Sequence, residues 1–273
     1  MNRLKENQLI YIALVVALFF AGCGGGAKQA DDASQSDVSK ESTFKSVTKY
    51  PIPTALEVTK MLNDAGASYI LSLNNPTENV DKYFTAKSRA LNLGVYGANL
   101  SYASTYQMKQ ETMNYLSVAK KLIDDLQITS AFNVKFADRV QSNIDNKDSL
   151  INIVSQSFFD TYEYLTNNGK DNVSLLVMTG SWVEGLYITS QIALVTKHNE
   201  EFMKIIAIQK EPLNKLMELM SKFSDDPMVA EAIDMLKPLQ DLYNTVEGES
   251  LTPASYEKIT TVVTSIRETI IKG

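Results

Sequence analysis

Two long stretches of this chain carry almost no charge. Between Arg89 and Lys109 there is no Asp, Glu, Lys or Arg, and between Asp171 and Lys197 there is only Glu184. In a chain with 21% charged residues, such segments have no wet face to present, and a helix polar on no face is buried on most of them. The sequence therefore predicts an all-α, multi-helix bundle in which two central apolar helices, at about 79–105 and 172–197, are wrapped by amphipathic ones. A bilayer is the wrong solvent for these runs, because Asn92, Asn99, Ser101, Thr179, Glu184 and Gln191 interrupt them.

Glycine usage supports helices over strands. Of the 12 glycines, four stand at 22 and 24–26, which leaves eight for the rest of the chain, too few for the turns of a β-sandwich of this size. Four of the eight, Gly94, Gly97, Gly180 and Gly185, fall inside the central runs, where each costs about 1 kcal/mol relative to Ala. Close helix approach is one reason to keep them, and room for a ligand is another. The two runs also match at an offset of 86: Gly94-x-Tyr96 with Gly180-x-Trp182, Leu100 with Leu186, Ser104 with Ser190. Internal duplication and convergence under one packing demand both account for the match.

The wrapping helices are read from apolar spacing. Tyr256, Ile259, Val263, Ile266 and Ile270 recur at steps of three and four behind Thr252 as N-cap and Pro253. Val229, Ala232, Leu236, Leu239, Tyr243 and Val246 follow Asp226-Pro227, with Pro238 expected to kink or break that helix. Met108, Thr112, Tyr115, Ala119, Leu122 and Leu126 form a third stripe. Leu150, Val154, Phe158, Thr161 and Leu165 form a fourth, closed by Asn167-Asn168-Gly169. Shorter helices are expected at about 54–65, 133–143, 199–210 and 212–223, the last two separated by Pro212, and Tyr69-Ile70-Leu71 is a candidate extended segment.

The N-terminus reads as an address. Arg3 and Lys5 precede an uncharged run from Leu9 to Ala21, the n-region and h-region of an export signal, too short to span a bilayer. The run ends at Phe20-Ala21-Gly22-Cys23, and here the chain resembles the bacterial lipoprotein family, with Phe20 where Leu is usual. The resemblance implies cleavage before Cys23, diacylation of its thiol and acylation of the new amino group. With Gly24 rather than Asp next, it implies an outer-membrane lipoprotein, periplasmic or surface-exposed. Several acyl chains make release from a bilayer very slow. Residues 24–46 hold little to bury and read as a flexible tether spanning on the order of 25 Å. The organisation expected is thus a signal peptide at 1–22, the lipidated Cys23 and tether at 23–46, and a helical domain at 47–273.

The chemistry inventory is short. One Cys and one His, His198, exclude disulfide frameworks, Cys/His zinc sites and zincin motifs. A net charge of -6 argues against a nucleic-acid partner. His198, flanked by Lys197, Asn199 and Glu200, reads as an exposed residue at a helix junction. Met203, Met217 and Met220 read as core filler or as an adaptable surface. Glu184 is the sharper candidate: a carboxylate in a dry run must pair with a cation, reach water at a pocket mouth, or hold a proton. Tyr96, Trp182 and Asn99 join it as candidate ligand-binding residues; no cofactor and no metal is implied. The function expected is a membrane-anchored envelope lipoprotein with a helical domain for a protein partner. The alternative is a carrier of a small apolar ligand between the central helices, and a third reading is an enzyme using Glu184.

Overall fold

The structure is a computed structural model that describes residues 52–129, 135–196, 200–248 and 250–273. Residues 1–22, the Cys23 and tether segment and His198 lie outside the described residues. Among the described residues there are ten α-helices, two short 3₁₀ segments and no strand. The helices are α1 (Ala55–Asp64), α2 (Ala86–Thr105), α3 (Lys109–Asp125), α4 (Lys135–Ser142), α5 (Lys147–Asn167), α6 (Asp171–Val195), α7 (Glu200–Ala207), α8 (Lys210–Ser221), α9 (Pro227–Asn244) and α10 (Pro253–Lys272). The 3₁₀ segments, Leu71–Leu73 and Thr77–Lys82, lie between α1 and α2.

The charge-free runs are α2 and α6, and they make the most extensive helix contact in the molecule. The first helix begins at Ala86 rather than near 79. Thr85 accepts from Ser88 N and Ser88 reaches back to the Thr85 backbone, a capping box that fixes the start. Its far end is set by Gln107, whose left-handed φ of 56° lets Met108 N close onto Ala103 O.

The two helices run in the same direction and cross at their glycines. A Cβ on Gly94 would lie 2.0 Å from Val177 O, and one on Gly180 would lie 1.8 Å from Leu91 O. Leu91 and Val177 are themselves 86 apart, so the two contacts exchange under the same offset that aligns the sequences. The crossing has local two-fold symmetry, as in an isologous interface. Its neighbours follow suit, since α1 and α5, the helices preceding α2 and α6, each pack on both central helices.

Two apolar cores flank the crossing. The larger gathers Val58 and Leu62 of α1, Trp182, Val183 and Leu186 of α6, and residues of α7 to α10 such as Phe202, Leu216, Leu236 and Ile259. The second is built by α2 to α5 with Tyr96, Leu100, Tyr115, Leu122, Phe136 and Val154. Wrapping helices are capped as their sequences require: Thr54 and Glu57 form a capping box on α1, Asn146 accepts from Ser149 N, Asp226 from Val229 N, and Thr252 from Ser255 N.

Two local expectations are corrected, and the kink or break expected at Pro238 is narrowed. The break between α7 and α8 falls at Ile208-Gln209, and Pro212 sits inside the first turn of α8, where a backbone N–H has no helical acceptor to lose. The α9 helix runs through Pro238 without a break, because Asp234, whose carbonyl loses its partner, is on the exposed side and can be hydrated. Met108 is exposed at the start of α3, outside the buried stripe. Among the described residues, no helix is long and apolar enough to cross a membrane.

Candidate functional site

Glu184 is 0% exposed, one turn beyond the crossing on α6, and both of its oxygens are occupied. Arg267 on α10 donates from Nε to Oε2 at 2.8 Å and from Nη2 to Oε1 at 3.1 Å. Asn99 Nδ2 on α2 donates to Oε1 at 2.8 Å. The fork is bidentate, the strong form of a carboxylate–guanidinium contact. Arg267 also donates to Leu73 O at 3.0 Å and lies 4.3 Å from the centre of the Tyr187 ring. Burial works against the arginine's charge, but Glu184 more than offsets it and holds the guanidinium above its ordinary pKa.

The network extends into the segment before α2. Asn99 Oδ1 accepts from Asn75 N at 3.0 Å and its amide donates to Asn74 Oδ1. Asn75 donates to the Tyr83 hydroxyl at 2.9 Å, which in turn donates to Ile271 O. Tyr96 donates to Pro76 O at 2.8 Å. Residues 73–83 are thus stitched to α2 and α10 directly, and to α6 through Asn99. Burial raises the tyrosines of this region: Tyr83 lies above its ordinary pKa, and Tyr102 and Tyr115 are pushed up to about 12.

Of the four residues singled out by sequence, the structure brings Asn99 and Glu184 together and keeps the other two apart. Tyr96 packs in the second core beside Tyr115 and Tyr83. Trp182 packs in the first, its Nε1 donating to Gln209 Oε1 at 3.3 Å. Two-fold-related positions face opposite sides, so a shared Tyr96–Trp182 pocket is not formed. Met203, Met217 and Met220 are core residues. Sequence reasoning missed Arg267, Asn74 and Asn75. A signal for Arg267 was present, since it lies four residues after Val263 and three before Ile270, inside the apolar stripe of its helix.

A cavity of about 50 Å³ lies against the central pair on the other side. Leu93, Gly97 and Leu100 of α2 and Ser174, Val177 and Met178 of α6 form one wall. Ala119 and Ile123 of α3 and Phe136 of α4 form a second, and α5 covers it with Ser157, Phe158, Thr161, Tyr162 and Leu165. The four α5 residues from Ser157 to Tyr162 are only half-buried, so the cavity opens along that helix. No Asp, Glu, Lys, Arg or His lines it. Among the described residues, no group of three or more His, Cys, Asp or Glu side chains is placed to hold a metal ion.

No protein-family model matches the chain, and no curated protein or solved structure matches it.

Proposed function

We propose that this chain is a membrane-anchored envelope lipoprotein whose helical domain binds a partner rather than transforming a substrate. The anchor reading rests on one coincidence of residues: the uncharged run Leu9–Ala21, the small pair Ala21-Gly22 and the chain's sole Cys at 23 stand in consecutive order. Gly24 favours the outer membrane. The binding reading is supported by the state of the chemistry-bearing side chains. Glu184, the acid that an enzyme reading would use, has both oxygens filled by Arg267 and Asn99 and is sealed from solvent. A general base must reach a substrate proton within hydrogen-bonding distance, and this one is fully buried and does not line the cavity beside α2 and α6.

The test is replacement of Cys23 by Ser with metabolic labelling by palmitate. The parent chain should incorporate label and sediment with membranes, and the variant should do neither; equal labelling and sedimentation of both would overturn the anchor. In-cell crosslinking should then return a reproducible envelope protein, and its absence would remove the partner. A second reading, a carrier of a small apolar ligand, is favoured by the cavity beside α2 and α6.

A further inference from the structure

The cavity's lining identifies the kind of molecule that would fill it. We infer that the space between α2, α3, α5 and α6 is a binding site for the end of an uncharged aliphatic chain that carries a hydroxyl or amide donor. The inference rests on the carrier reading of the domain and is independent of the anchor.

Size is the first constraint. About 50 Å³ is well above the roughly 10–15 Å³ that a single water needs, and well below the 300–1,000 Å³ of a site that engulfs a drug-sized ligand. It suits the last few carbons of a chain whose remainder lies in the opening along α5. Apolar walls of Leu93, Leu100, Ile123, Phe136, Leu165 and Met178 give water few partners, and such cavities stay dry.

Charge is the second. No cation lines the site, so a carboxylate or phosphate entering it would give up hydration without gaining a counter-charge. Two of the hydroxyls at the opening, those of Ser157 and Thr161, sharpen this further. Ser157 Oγ donates to Val154 O at 2.7 Å and Thr161 Oγ1 donates to Ser157 O at 2.7 Å. Both protons are engaged within α5, and what these groups offer a ligand is lone pairs. They match a donor such as an alcohol or an amide, and they repel an anion.

The third argument comes from the two-fold crossing. Gly97, in the cavity wall, has Val183 as its counterpart at the 86-residue offset, and Val183 is fully buried in the larger core. On the cavity side the counterpart of the valine side chain is the ring of Phe158, whose tip would lie 2.8 Å from a Cβ on Gly97. The cavity is therefore walled by an aromatic ring from another helix where the other side of the crossing has a side chain of its own.

The experiment uses the full-length chain carrying Cys23→Ser, titrated with 1-octanol and separately with octanoate at pH 8, where the carboxylate is ionised. The readout is the methyl NMR signals of Leu100, Ile123, Leu165 and Met178. Octanol should shift these signals saturably, and octanoate should bind at least about tenfold more weakly. Thr161→Leu, which places a larger side chain at the half-exposed opening, and Ala119→Leu, which fills the wall from α3, should each abolish the octanol shifts. The Thr161 variant keeps the test decisive if the Ala119 variant does not fold. Equal binding of octanoate would overturn the uncharged-ligand claim while leaving the carrier reading standing. Absence of shifts with both compounds would overturn the two together, and undiminished octanol binding in Thr161→Leu would overturn the location.

Discussion

Gly94 and Gly180 sit where α2 and α6 cross; Gly97 and Gly185 sit about one turn further along the same helices. At the crossing an added methyl group would meet main chain, Val177 O at 2.0 Å and Leu91 O at 1.8 Å. One turn on, the methyl on Gly97 would meet the tip of the Phe158 ring at 2.8 Å, and that on Gly185 would only touch Ala55 at 3.9 Å. The first pair opposes backbone held by its own helix, which has nowhere to go. The second opposes a side chain that can turn aside, or nothing that needs to move. Four glycines that look alike in the sequence thus have different jobs, and only the crossing pair sets how closely the helices approach.

The largest expected effect follows directly. Gly180→Ala and Gly94→Ala should each lower the unfolding free energy by about 5 kcal/mol or more, since overpacking against main chain lies beyond the usual range. Urea unfolding measures it, and a loss below about 1 kcal/mol would mean that the crossing yields after all.

Alkali should act next, because it loads several sites on both sides of the crossing at once. Tyr69, Tyr83, Tyr96, Tyr102, Tyr106, Tyr115 and Tyr243 all hold their protons above the ordinary phenol range, with burial as the leading cause. A raised folded-state pKa contributes stability that is intact below the unfolded value near 10 and is lost as pH climbs through the folded one, about 12 for Tyr102 and Tyr115. The thermal midpoint should hold below pH 10 and fall between pH 10 and 12, and a flat profile there would contradict the burial of these phenols.

Third in size is the ion pair just past the crossing. Glu184→Leu or Arg267→Met alone leaves its partner buried without a counter-ion and should cost about 3–5 kcal/mol. The double variant Glu184→Leu/Arg267→Met should recover part of that loss, and strict additivity in the cycle would show that the two groups do not depend on each other. The smallest effects belong to the outer glycines. Gly185→Ala should raise stability by roughly 0.5–1 kcal/mol through helix propensity alone, while Gly97→Ala should stay within about 1 kcal/mol of neutral as Phe158 moves. Matching losses at Gly97 and Gly94 would erase the distinction drawn here.

How much of this was legible beforehand depended on whether a residue's environment comes from its own helix. The central helices, the stripes of α3, α5, α9 and α10, and the caps at Thr252 and Asp226 were readable because periodicity and capping are local signals. The buried state of Glu184 was readable from the absence of other charges around it. Its pairing was not, because Arg267 is 83 residues away, and its place in the apolar stripe signals burial without naming the acid it meets. The cavity was equally hidden, since its walls come from separate helices and no local signal reports how they meet. The start of α2 was misjudged because a capping box built on Ser88 lacks the usual acidic third residue.

That long separation has a consequence for order in time. A ribosome adding about 5–20 residues per second releases Glu184 roughly 4–17 s before Arg267 exists to meet it. Through that interval the acid must stay hydrated, so the seal over α2 and α6 can form only once the final helix has been made. Completion of this fold in that sense waits on the arrival of a single guanidinium.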